Sequence, residues 1–168
     1  MIRGMHHISL STTDLDSFIH FYRDLLGMKL DRVSPLQPGF EPFETIVGMR
    51  DVTAKVAQFN LGNMNMEVFC YSDPTPRPGE RRPACDTGIR HIAFDVKDIF
   101  AEYERLKAAG VEFISPPQYI GPGKCTSCYF YDPDGNIVEF QELHPGTPVR
   151  PAFGLAEGSH SGSDGEIR

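Results

Sequence analysis

Apolar and polar residues alternate in several short stretches of this chain. After the first of these stretches, the apolar residues recur at the spacing of a helix. Residues 5–11 alternate, so that Ile8 and Leu10 lie on one face of a predicted strand and His7 lies on the other. His6 shares the face of Ile8, which we expect to pack against a helix, and we interpret it as structural. The next apolar residues recur at helical spacing, so the order begins as strand and helix.

The rest of this first unit is predicted to be one helix and three more strands. The helix covers residues 14–26, with Asp14 as its N-cap and Gly27 at its C-terminal cap. Gly62-Asn63 is typical of a tight hairpin. Strands are predicted at residues 28–33, 52–61 and 64–71, with a short helical turn near residues 43–47.

The same order returns in the second half of the chain. Residues 88–96 alternate, with His91 on one face and Ile92 and Phe94 on the other. Asp98 is the predicted N-cap of a helix that ends at Gly110. Further strands are predicted at residues 111–114, 125–131 and 136–142, the last two forming a hairpin around residues 132–135. The chain is therefore an internal repeat of strand, helix and three strands.

Composition places the boundaries of these units. Residues 72–87 are rich in proline and poor in apolar residues, as linkers are. From residue 143 the chain is rich in Pro, Gly, Ser and charge, which predicts a flexible C-terminal tail over residues 143–168. We expect residues 1–142 to form one domain of two modules, 5–71 and 88–142, because either module alone would be marginal.

Charge and composition exclude some classes of partner. The net charge is −7 and there is no basic stripe, so a nucleic acid is not expected. No apolar run approaches the roughly 20 residues that span a bilayer, and no membrane partner is expected. The first residues contain no signal-peptide core, which favours a cytoplasmic protein. The four cysteines are expected to be free thiols, since Cys125 and Cys128 would lie on opposite faces of one strand.

Each unit places one histidine and one glutamate on the sheet face turned away from the helices. Alternation puts His7 and His91 opposite the apolar residues of their strands, and it does the same for Glu67 and Glu139. A single strand histidine is more often structural, and a buried glutamate needs a partner. Because the four recur in register, we predict that they bind one divalent metal ion. Mixed nitrogen and oxygen ligation suits Zn, Ni, Co, Mn or Fe.

Several segments resemble one known family. They are His7-Ile8-Ser9-Leu10, Phe21-Tyr22-Arg23-Asp24-Leu25-Leu26-Gly27, Gly88-Ile89-Arg90-His91-Ile92-Ala93-Phe94 and Tyr131-Asp132-Pro133-Asp134-Gly135-Asn136-Ile137-Val138-Glu139. Over residues 5–142 the chain resembles the vicinal oxygen chelate superfamily, which includes glyoxalase I, methylmalonyl-CoA epimerase, extradiol dioxygenases, and fosfomycin and bleomycin resistance proteins.

The resemblance implies an α+β fold of two βαβββ modules that form an open, cup-shaped mixed β-sheet around a metal, with the helices outside. The matching metal positions are His7, Glu67, His91 and Glu139, a set similar to that of bacterial glyoxalase I. Members of the family often pair modules between chains, so a homodimer is expected.

The leading hypothesis for function is a metal-dependent isomerase or lyase of the glyoxalase type. A small substrate with two neighbouring oxygens would chelate the ion, which would act as a Lewis acid during proton abstraction. Glu67 or Glu139 is the candidate catalytic base, because a glutamate at the metal could leave it and reach the carbon.

Two other classes of function compete with this one. An Fe(II) dioxygenase would use His7, His91 and Glu139 as a facial triad. It leaves Glu67 without a role, and residues 120–128 lack the histidine that extradiol enzymes usually carry there. A drug-binding resistance protein without metal chemistry is the third class, but a pure binder has no reason to bury two carboxylates opposite two imidazoles.

Overall fold

Two four-stranded sheets, one from each unit, make up the fold. The computed structural model describes residues 1–121 and 124–147. The first unit contains β1 (His7–Ser11), α1 (Leu15–Ile19), β2 (Lys29–Leu36), α2 (Glu41–Val47), β3 (Thr53–Leu61) and β4 (Met64–Asp73). The second contains β5 (His91–Asp95), α3 (Ile99–Ala108), β6 (Gln118–Tyr119), β7 (Cys125–Tyr131) and β8 (Ile137–Leu143).

The two sheets have the same topology. Their strand orders are β1-β4-β3-β2 and β5-β8-β7-β6. In each sheet the first strand runs parallel to the last, and the other neighbours are antiparallel. A helix connects the first strand of each unit to the next. The predicted α+β fold of two βαβββ modules is confirmed.

The first helix begins as predicted and ends with wider turns. The carboxylate of Asp14 accepts a hydrogen bond of 3.1 Å from the backbone N–H of Ser17, which satisfies one of the free donors at the helix start. After Ile19 the chain continues as a π-helical segment, His20–Leu25. Gly27 then turns the chain at φ +78°, a backbone angle that favours glycine. The segment places Phe21 and Tyr22 in the interior.

The predicted cap of α3 is wrong in its chemistry. Asp98 precedes the helix, but its backbone is left-handed and its side chain makes no capping hydrogen bond. The carboxylate of Glu142 on β8 accepts instead from the backbone N–H groups of Asp98 and Ile99, each at 3.1 Å. A residue distant in sequence thus supplies the acceptor that a local pattern assigned to Asp98.

The region after α3 also differs from the prediction. Residues 111–114 do not form a strand, since only Phe113 makes an isolated bridge, to Phe130. The short strand β6, which pairs with β7, lies in a predicted loop. Proline cannot donate to a ladder, and Pro116-Pro117 separates the bridge from β6. Residues 148–168, the greater part of the predicted tail, lie outside the described residues.

Side chains from both units form one hydrophobic core. Its fully buried members come from helices and strands of both units and include Phe18, Phe59, Leu106, Phe130 and Val138. At its edge, the buried hydroxyl of Tyr22 donates a 2.9 Å hydrogen bond to Asp132 of the other unit. The helix-bearing sides of the two units therefore share this core. No helix within the described residues is long and apolar enough to cross a membrane.

Candidate metal centre in two halves

His7 and Glu67 lie side by side on the face of the first sheet that turns away from the core. In the register of β1 and β4, Ser9 pairs with Glu67, so His7 is the diagonal neighbour of that glutamate. The His7 Nε2 atom lies 3.9 Å from Glu67 Oε2. Both side chains remain accessible, at 43% and 28% of their surface.

His91 and Glu139 repeat this arrangement on the second sheet. Ala93 pairs with Glu139 between β5 and β8, which again makes the histidine the diagonal neighbour. The His91 Nε2 atom lies 3.1 Å from Glu139 Oε2, and the two side chains are 39% and 13% accessible. Each sheet thus presents one imidazole nitrogen beside one carboxylate oxygen. We call the pairs His7–Glu67 and His91–Glu139 the two half-sites.

The sheets hold the two carboxylates differently. The hydroxyl of Ser127 on β7 donates a 2.6 Å hydrogen bond to Glu139 Oε1. The amide of Gln58 on β3 donates to Glu67 Oε1 over 3.4 Å, near the limit of such a bond. In both half-sites Oε1 contacts the neighbouring strand and Oε2 faces the histidine. Glu139 is therefore the more firmly fixed of the two.

His6 contacts the first half-site, whereas the sequence interpretation placed it against a helix. The strand starts at His7, and His6 just before it is exposed instead of facing a helix. Its Nδ1 atom lies 2.8 Å from Nδ1 of His7, within hydrogen-bond distance. Because Nδ1 of His7 contacts His6, its Nε2 is the nitrogen that faces Glu67. Histidines that bind a metal through one ring nitrogen commonly use the other for a contact of this kind. The sequence feature that could have indicated this contact is the pair of adjacent histidines at the start of the strand.

A tyrosine accompanies the glutamate of each half-site. The ring of Tyr129 lies 5.3 Å from the ring of His91. Burial, together with the negative charge of Glu139, raises the pKa of Tyr129. Burial and the charge of Glu67 likewise raise the pKa of Tyr71. Both phenols therefore stay protonated at neutral pH and can donate a hydrogen bond.

The cysteines contribute no ligands to these half-sites. All four are free, as expected. Cys128 belongs to the core cluster and Cys125 does not, as expected for two residues on opposite faces of one strand. Burial raises the pKa of the Cys128 thiol to about 11, which keeps it protonated.

One chain keeps the two half-sites apart. Among the described residues, no group of three or more His, Cys, Asp or Glu side chains is close enough to hold one ion. Each half-site offers two of the three or four protein ligands that a metal of this class takes. The nitrogen and oxygen donors suit such an ion. A set of three or four protein ligands, however, requires two half-sites to meet.

Comparisons with known proteins identify the family of the chain. The family model described as "Glyoxalase/Bleomycin resistance protein/Dioxygenase superfamily" matches residues 4–140, a range that includes both half-sites. A lactoylglutathione lyase from Haemophilus influenzae is 31% identical over 136 residues, which cover 81% of this chain and 90% of the lyase.

Solved structures show the same fold. A glyoxalase family protein from Bacillus cereus superposes with a TM-score of 0.76 at 21% identity, covering 85% of this chain and 95% of that one. The fosfomycin resistance protein FosX from Listeria monocytogenes, solved with Mn(II) and sulfate, gives a TM-score of 0.60 at 22% identity, covering 86% and 94%. On its sequence and its repeated βαβββ architecture, the chain belongs to the glyoxalase, bleomycin resistance protein and dioxygenase superfamily.

Proposed function

We propose that this protein is a metal-dependent lyase or isomerase that moves a proton on a small substrate bound through two neighbouring oxygens. The observation that carries the proposal is the pair of matching half-sites, each with one histidine Nε2 and one glutamate Oε2. Relatives with a lyase name and a solved Mn(II) complex support the same class of chemistry.

The complete site is proposed to form between two copies of the chain. The His7–Glu67 half-site of one copy would face the His91–Glu139 half-site of the other, and a twofold axis would create two such sites per dimer. The separation of the half-sites within one chain supports this arrangement. It supplies two imidazoles and two carboxylates, with positions left for the substrate.

Glu67 is the better candidate for the base. It is more accessible than Glu139, lies farther from its histidine and receives the longer hydrogen bond. A bound divalent ion would polarise the chelated oxygens of the substrate as a Lewis acid. Glu67 would take the proton from the carbon next to the carbonyl and return it to the neighbouring carbon. Glu139, held by Ser127, would remain in place.

Metal content is the first test. Protein purified without chelators should contain one divalent ion per chain, and His91→Ala should abolish stoichiometric metal while leaving a folded protein, because the core is untouched. His144→Ala is the matched control, since that histidine contacts Thr126 outside the half-sites. Full occupancy in the His91 variant would refute the site.

Proton transfer is the second test. S-Lactoylglutathione carries a hydroxyl next to its thioester carbonyl, and so offers two neighbouring oxygens. The hydrogen to follow is the one on the carbon that bears the hydroxyl. We expect the metal-loaded protein to exchange this hydrogen for solvent deuterium under argon. Activity that requires oxygen and Fe(II), and that survives the substitution Glu67→Gln, would instead establish a dioxygenase.

A further inference from the structure

Three aromatic rings stand in a row on the same sheet face as the His7–Glu67 half-site. Phe69 and Tyr71 follow Glu67 on β4 at intervals of two residues, so all three side chains share that face. The rings of Phe69 and Tyr71 lie 5.4 Å apart at 14°. Phe43 of α2 stacks on the other side of Phe69, at 5.6 Å and 25°. We call Phe43, Phe69 and Tyr71 the ring row.

The ring row is separate from the hydrophobic core. Phe69 is 8% exposed, yet it is not a member of the core cluster that joins the two units. Helix α2, which brings Phe43 onto the sheet, has no buried residue of its own. Tyr71, at the end of the row, is only partly buried, as is Phe43. The row is thus an apolar wall beside a half-site, covered by one short helix.

The second half-site has the single ring of Tyr129 beside His91, and its strand β8 does not continue the row. The residues at the corresponding distances after Glu139 are Gln141 and Leu143, and Ser127 pairs with Gln141 across the strands. A substrate held between the two half-sites would therefore meet a row of rings beside Glu67, and a single ring with Ser127 and Gln141 beside Glu139. The two modules repeat the candidate ligands but not the surroundings, so the two ends of such a substrate would meet different surfaces.

We propose that the substrate carries an aryl group next to its two chelating oxygens and that this group packs against the ring row. This inference rests on the proposed function, since it concerns the same site. Flat rings suit the row because stacked or edge-to-face aromatic pairs gain free energy beyond the burial of their area. A methyl group there would bury less apolar surface against the partly exposed rings of Phe43 and Tyr71.

Two ligands that differ only at this position provide the test. Mandelate and lactate share the α-hydroxycarboxylate oxygens, and one carries a phenyl group where the other carries a methyl group. Calorimetric titration of the Mn(II)-loaded protein should show mandelate binding at least about tenfold more tightly, from the added apolar and ring contacts.

Variants of the ring row should remove this preference. Phe43→Ala lies on a helix without buried residues and should fold, and Phe69→Leu keeps the apolar volume but removes the ring. Each should bring mandelate to within about threefold of lactate, since the ring contribution is lost, while lactate and Mn(II) affinities stay unchanged. Phe100→Ala is the matched control, because Phe100 is an exposed aromatic residue on α3.

The possible results separate the two proposals. If wild-type protein binds Mn(II) but mandelate binds no more tightly than lactate, the rings serve only to anchor α2 and the inference is overturned. If the protein binds none of Zn, Ni, Co, Mn and Fe as divalent ions, the proposed function fails, and the comparison is made on the protein alone. A mandelate preference that Phe43→Ala abolishes would then still support the aryl subsite, and equal binding would overturn it.

Discussion

Glu67 and Glu139 occupy equivalent strand positions, yet their neighbours give them different freedom. Ser127 fixes Glu139 with a short hydrogen bond, whereas Glu67 accepts a longer one from Gln58. A ligand must stay in place and a base must move to the carbon it deprotonates. The difference in restraint supports our proposal that Glu139 anchors the metal and Glu67 transfers the proton.

The substitution Glu67→Gln tests this assignment. We expect turnover to fall by about 10²–10⁴-fold, the usual contribution of a positioned base, while metal binding is largely kept. Glu139→Gln should instead lower metal affinity, because Ser127 then holds a weaker ligand. Deuterium exchange into S-lactoylglutathione and metal titration measure the two effects. Equal loss of metal in both variants would contradict the division of roles.

Cysteine reactivity follows from burial. The thiolate is the reactive form, and a pKa of about 11 leaves Cys128 almost wholly protonated at pH 8. Cys85 is exposed. We expect iodoacetamide at pH 8 to modify Cys85 and to spare Cys128 until the protein is unfolded, as peptide mass spectrometry would show. Rapid modification of Cys128 in the folded protein would contradict the burial.

The sequence pattern was sufficient to place the four candidate ligands on the correct faces. Strand side chains alternate with a period of two, so the position of His91 relative to Ile92 and Phe94 determines its face. The contact between His6 and His7 was not predictable in this way. It occurs at the first residue of the strand, where alternation no longer decides the direction of a side chain.

At the scale of elements, local capping rules were right for α1 and wrong for α3. Asp14 caps its helix through Ser17, three residues along the chain. The acceptor at α3 comes from Glu142, which is brought there by the parallel pairing of β5 and β8. Capping rules consider only neighbouring residues, so they cannot identify a partner that tertiary structure supplies.

This cap can be tested by unfolding in urea. Glu142→Ala should lower the free energy of unfolding by about 1 kcal/mol, the typical effect of losing a helix N-cap. Asp98→Asn is the control and should change it little, because the Asp98 side chain makes no capping bond and asparagine tolerates the left-handed backbone. A larger loss of unfolding free energy in the Asp98 variant would show that the Asp98 side chain caps the helix.

At the scale of the whole molecule, the packing of the units explains why the half-sites are apart. The units share a core and the buried contact between Tyr22 and Asp132, so their helix-bearing faces meet inside one chain. The sheet faces that carry His7 and His91 are turned away from this shared core. Sequence repeats predict equivalent modules, but they do not tell which faces join, since that depends on the shapes of the packed side chains.

Metal content of a mixed dimer tests the central claim most directly. One variant, His7→Ala with Glu67→Ala, keeps only the second half-site, and another, His91→Ala with Glu139→Ala, keeps only the first. Neither should hold metal alone, but their purified heterodimer should contain one ion per dimer, half the wild-type content, because one complete site forms between the chains. A heterodimer without metal, beside a fully loaded wild type, would contradict a site shared between two copies.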